Sequence, residues 1–140
     1  MSAASKVKLF FGIMWIISGA TKFLQLIAEA VTGKAMISNS FQVFAKMCIL
    51  PFYTDIIVNY FIPAAALFIF LASLFEIIAG SLILQTGNRA KLGLVIGIAM
   101  NITYAPLAGI ATVIVNILFA TPQAWLLGQD SSENLSKCRK

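Results

Sequence analysis

A single carboxylate, Glu76, interrupts an otherwise uncharged run from Ile56 to Leu84 that is long enough to cross a bilayer. An acid in hydrocarbon costs several kcal/mol, so its presence calls for a reason. Two chemistries fit. Glu76 either hydrogen-bonds across a helix bundle and fixes its register, or it serves as a proton site or hydrogen-bond partner for a quinone-like or other lipid-soluble ligand. At a helical rise of about 1.5 Å per residue, Glu76 lies roughly 13 Å from the inner end near Gln85. Ser18, Asn101 and Asn116 fall at roughly 15, 14 and 18 Å on the same scale. These levels predict an intramembrane polar cluster of Glu76, Ser18, Asn101 and Asn116. Lys22 is the obvious counter-charge, but it stands about 8 Å above Glu76. It is expected as a secondary partner that snorkels toward the outer interface.

The remaining residue types exclude much. There is no histidine, so bis-histidine haem ligation, histidine-bearing zinc or iron sites and a Ser-His-Asp triad are ruled out. No CxxC pair exists, and Glu29, Asp55, Glu76, Asp130 and Glu133 are too scattered to hold a metal. No Gly-rich phosphate loop opens a helix. The sequence therefore nominates no catalytic and no metal-binding residues, and redox chemistry would belong to a bound quinone or lipid-like cofactor or to a partner subunit. Cys48 and Cys138 are expected on opposite sides of the membrane, as a buried thiol and a tail thiol.

The elements that must position Glu76 are membrane helices. Hydrophobic residues make up 60% of the chain and charged residues 11%, with a mean hydropathy of +0.93, far from the soluble norm. The expected fold is an all-α integral membrane protein, one domain of four transmembrane helices at about 7–28, 56–84, 91–105 and 107–127. A tight turn around Tyr104-Ala105-Pro106 must join the last two, and Pro122 is expected to kink the fourth or mark its boundary. Between the first two, Thr32-Gly33-Lys34 reads as a helix stop. Phe41, Phe44, Ala45 and Cys48 then predict a short interfacial helix or a loop packed over the bundle. Small residues recur at helical spacing, with Gly12 and Gly19 in the first crossing, Gly80 in the second, and Gly93 and Gly97 as a GxxxG pair in the third. They permit close helix packing, within the chain or in a dimer. Trp15 and Trp125 are candidate interfacial anchors.

Basic residues set the orientation. With four crossings, Lys6, Lys8, Arg89, Lys91, Lys137, Arg139 and Lys140 share one side and Lys22, Lys34 and Lys46 the other. Both termini are therefore expected on the cytoplasmic, matrix or stromal side of a membrane such as a bacterial or organellar inner membrane. The net charge of +5 reads as topology and anionic-lipid attraction. It does not suggest nucleic acid, because no basic stripe interleaves with aromatics on a soluble face. Residues 129–140 form a polar C-terminal tail.

Two stretches carry a family resemblance: Phe11-Gly12 with Ile17-Ser18-Gly19-Ala20-Thr21-Lys22-Phe23, and Leu74-Phe75-Glu76-Ile77-Ile78-Ala79-Gly80 with Leu82, Leu84 and Gly87. In these the chain resembles the DoxX-like family, which includes the small subunit of thiosulfate:quinone oxidoreductase. The resemblance implies a four-helix membrane fold whose SGxxK and ExxxG elements fall on Ser18, Gly19, Lys22, Glu76 and Gly80. Lys8 stands where the family often has arginine. The function expected from residues and resemblance together is a noncatalytic accessory or structural subunit of a larger membrane complex, related to electron transfer. The alternatives are a quinone-linked oxidoreductase subunit and a membrane assembly factor or chaperone. The expected partners are the lipid bilayer and other membrane protein subunits.

Overall fold

A computed structural model describes the backbone of residues 2–137 and the side chains of residues 2–129. Among the described residues the regular structure is all helical, with no strand. It begins with α1 (Ala3–Thr32), which Ser2 caps by accepting the Ser5 N–H at 3.2 Å. At the other end Gly33 takes the left-handed conformation (φ 66°) that glycine adopts without steric cost, and its N–H returns to the Glu29 carbonyl. Then follow α2 (Met36–Met47), α3 (Pro51–Ile56), a π-helical turn (Ile57–Phe61), α4 (Ala65–Ile83), α5 (Asn88–Tyr104) and α6 (Ile110–Lys137). Three of these are long and apolar enough to cross a membrane: α1, α4 and the Ile110–Gln129 part of α6.

Helices α1, α4 and α5 bury narrow stripes in which glycine, alanine and serine recur, and leave many large apolar residues outside. In α4 the inward positions include Ser73, Glu76, Gly80 and Ile83, while Leu67, Phe70, Leu74 and Ile78 are exposed. In α5 they are Ala90, Gly93, Leu94, Gly97 and Asn101. This inversion suits a hydrocarbon solvent, where helices associate through close packing rather than through escape from water. A methyl group on Gly19 would lie 2.6 Å from the Ser73 carbonyl oxygen, and one on Gly80 would lie 2.5 Å from the Gly12 carbonyl oxygen. The two contacts set an antiparallel α1–α4 register. Gly93 meets the backbone of Ile83 and Ala79 in the same way, so the GxxxG pair packs within the chain.

Two apolar cores result. At the end holding the N-terminus, Phe11, Trp15, Ile83, Leu94 and Leu126 close together. At the opposite end, α2 and the π-helical turn fold over the bundle and bury Ile37, Phe41 and Ile57 with Ala65 and Leu107.

Several boundaries differ from the sequence reading. The run expected as one helix from Ile56 is broken at residues 62–64, where Pro63 sits in a turn, and α4 starts at Ala65. The last helix starts at Ile110 because Pro106 and Gly109 (φ 83°) hold a turn before it. It also runs through Pro122, which therefore does not mark a boundary, and continues to Lys137 across most of the expected tail. Membrane helices tolerate such a proline when neighbours re-satisfy the freed carbonyl. Trp15 is no interfacial anchor: it is buried in the core, whereas Trp125 is half exposed. The expectations for Cys138, Arg139 and Lys140 lie outside the described residues.

Candidate functional site

Glu76 is fully buried, and three hydrogen bonds converge on its carboxyl. The Lys22 ammonium donates to both oxygens, at 2.7 and 2.8 Å, and the Tyr104 hydroxyl donates to Oε1 at 2.8 Å. Lys22 also reaches the Ser18 hydroxyl at 3.0 Å, so its third N–H has a partner as well. Its Nζ lies 5.5 Å from the centroid of the Tyr104 ring, within range of a cation–π attraction. The Lys22 side chain is 25% exposed, against 0% for Glu76. The site is thus an ion pair with one face toward open space.

Lys22 is the direct partner of Glu76, not a secondary one. The helical offset is real. In the α1–α4 register Phe70 stands beside Phe23, with ring centroids 6.3 Å apart, so Lys22 is level with Leu71 and Glu76 lies about 7.5 Å further along α4. Side chains lean toward their own helix N-terminus. Because α1 and α4 run antiparallel, Lys22 and Glu76 lean toward each other, and two long side chains close a gap that axial distance alone leaves open. Ser73 reinforces the crossing, its hydroxyl donating to the Gly19 carbonyl at 2.6 Å.

The two amides expected beside Glu76 bond elsewhere. Asn101 is buried and donates to the Gly97 carbonyl one turn back, at 3.0 Å, and Asn116 donates to the Thr112 carbonyl at 2.8 Å. Each relieves its polarity on its own helix. Tyr104 takes the place expected for them. A signal for it existed: Tyr104 extends the Gly93, Gly97, Asn101 stripe by one more turn, so its ring belongs to the inward face of α5. Glu29 has a comparable role outside the site, accepting the Ile37 N–H at 2.7 Å at the start of α2. Tyr53 in α3 donates to the Thr103 carbonyl at 2.8 Å, tying the cap to the end of α5. Burial raises the Tyr53 phenol above its ordinary range, with Cys48 adding to the shift.

Beside the ion pair lies a half-open cavity of about 570 Å³. Phe41, Phe44, Phe61, Phe68, Phe75 and Tyr104 contribute six aromatic rings to its wall, from α2, the π-helical turn, α4 and α5. The residues with polar side chains among those lining it are Lys22, Thr103, Tyr104, Thr112 and Asn116. The volume lies in the range of small-molecule sites, as does the pattern of apolar walls with a few polar groups. Among the described residues no cluster of acids or cysteines has the composition of a metal site. At the other end of the bundle, Trp15 Nε1 donates to Gln123 Oε1 at 3.3 Å, and Gln123 Nε2 donates to the Phe119 carbonyl at 2.9 Å. The space there is filled: a methyl group on Gly97 would strike Gln123 Oε1 and Trp15. Comparison of the chain with protein-family models, curated proteins and solved structures gives no match.

Proposed function

We propose that this chain is a noncatalytic membrane subunit that holds a lipophilic, ring-bearing molecule of the quinone class within a larger, electron-transfer-related complex. The observation that carries this reading is the aromatic-walled cavity opening onto Lys22 and Tyr104. An acyl chain alone would need neither a lysine nor six rings. A planar ring with carbonyl oxygens uses both, stacking on aromatic faces and taking up the positive field of the ammonium. The resemblance to the DoxX-like family through Ser18, Gly19, Lys22, Glu76 and Gly80 points the same way. In this reading α5 completes a four-crossing bundle, α2 lies at the outer interface over the cavity, and both termini face the cytoplasmic, matrix or stromal side. The exposed apolar faces of α1, α4 and α6 meet lipid and neighbouring subunits.

The test is native extraction in mild detergent, followed by identification of the organic-soluble molecules that copurify with the wild type and with Lys22→Met. A quinone in near-stoichiometric amount with the wild type, and depleted in the variant, is the expected result. Recovery of phospholipid alone from both preparations would overturn the reading.

A further inference from the structure

Two amide side chains lie about two turns apart on α6: Gln123 in the closed core and Asn116 in the wall of the cavity. Both donate to the carbonyl four residues back on their own helix, at 2.9 and 2.8 Å. They differ in what meets the rest of the amide. The Gln123 carbonyl oxygen accepts the Trp15 indole N–H. The Asn116 carbonyl oxygen and second N–H have no protein partner among the described residues. Helices α1 and α6 run antiparallel: Ala4 and Leu126 line one pocket near the start of α1, Phe11 stands edge-on to Phe119 further along, and the long Trp15 side chain reaches Gln123. Moving two turns from that contact leads along α1 from Trp15 to Lys22 and along α6 from Gln123 to Asn116, and both of these side chains line the cavity. Where α1 fills the space beside Gln123, nothing fills it beside Asn116.

The other polar groups of the wall are already engaged. Thr103 and Thr112 donate to the carbonyls of Ala99 and Ala108, and Tyr104 and all three Lys22 hydrogens are directed to Glu76 and Ser18. We infer that Asn116 is the specificity-determining residue of the cavity, hydrogen-bonding an oxygen of the bound ring in both its carbonyl and its hydroxyl form. The inference rests on the quinone-class reading given above. An amide can do this because its N–H donates to a carbonyl and its oxygen accepts from a hydroxyl, whereas Lys22 has donors alone, all engaged, and Tyr104, with its hydrogen committed to Glu76, can only accept. Asn116 would therefore hold the ligand through a change of oxidation state, while the ion pair supplies a field that favours the electron-rich end.

The experiment uses the full chain in lipid nanodiscs, as wild type and as Asn116→Leu, titrated with three probes sharing a decyl tail: a benzoquinone, its benzoquinol, and an alkylbenzene without oxygens. The expected result is a loss of about fivefold in affinity for both oxygenated probes on substitution, the scale of one neutral hydrogen bond, with alkylbenzene affinity unchanged within about twofold. Quinone binding by the wild type that is indifferent to Asn116→Leu would overturn the inference and leave the quinone-class reading standing. So would an equal loss for all three probes, which would make Asn116 a packing residue, or a loss confined to one oxidation state. No preference of the wild type for the oxygenated probes over the alkylbenzene would overturn both.

Discussion

The two ends of the bundle each hold an amide of α6, in opposite surroundings. At the closed end, glycines bring backbones into contact, and the buried amide of Gln123 has its oxygen and nitrogen paired with Trp15 and Phe119. At the open end, large aromatic rings hold helices apart around a cavity, and the amide of Asn116 is only partly paired. Small residues on facing stripes let membrane helices approach closely. Between the ends, Lys22 and Glu76 join α1 to α4 and present one charged group to the open side.

The largest effect is expected at the junction. Glu76→Leu leaves the Lys22 ammonium without its counter-charge and the Tyr104 hydroxyl without an acceptor, and should destabilise the fold by about 3–5 kcal/mol, read from thermal unfolding in mild detergent. Adding Lys22→Met should recover about half of that loss, because the uncompensated charge is gone. No recovery in the double variant would show that Glu76 acts by packing instead of pairing.

Next comes the closed end. Gly97→Val places carbon where Gln123 and Trp15 already lie, and should cost about 1–3 kcal/mol by overpacking. A neutral outcome would mean that the closed end is as loose as the open one.

The comparison sharpens further on α6. Gln123→Leu strands the buried Trp15 N–H and should cost about 1–3 kcal/mol, together with a shift in tryptophan emission. Asn116→Leu, on the same helix, removes only a bond to its own backbone and should change stability by less than about 0.5 kcal/mol. Equal losses from the two substitutions would erase the distinction between the ends.

Much of this arrangement was legible in the residues. The membrane class follows from composition, and the inward stripes follow from small residues at helical spacing, as does the helix stop at Gly33. Depth along straight helices puts Ser18 near Glu76, but it also sets Lys22 apart and draws Asn101 and Asn116 in. The first error came from counting backbone rise without the opposite lean of side chains on antiparallel helices. The second came from ignoring that an asparagine can satisfy itself on the carbonyl one turn back, as Asn101 does with Gly97. Trp15 was misplaced for a similar reason: an indole N–H can be buried wherever an amide oxygen meets it, and Gln123 lies 108 positions away.

The sequence by itself determined that an acid, a lysine and a set of small-residue stripes lie in apolar helices, because hydropathy and spacing are local properties. Only the tertiary structure decided that Lys22 and Tyr104 meet on Glu76, that Gln123 is filled in while Asn116 faces space, and that six rings from four elements wall one cavity. These outcomes depend on register and tilt between helices, which arise from contacts among residues far apart in the chain.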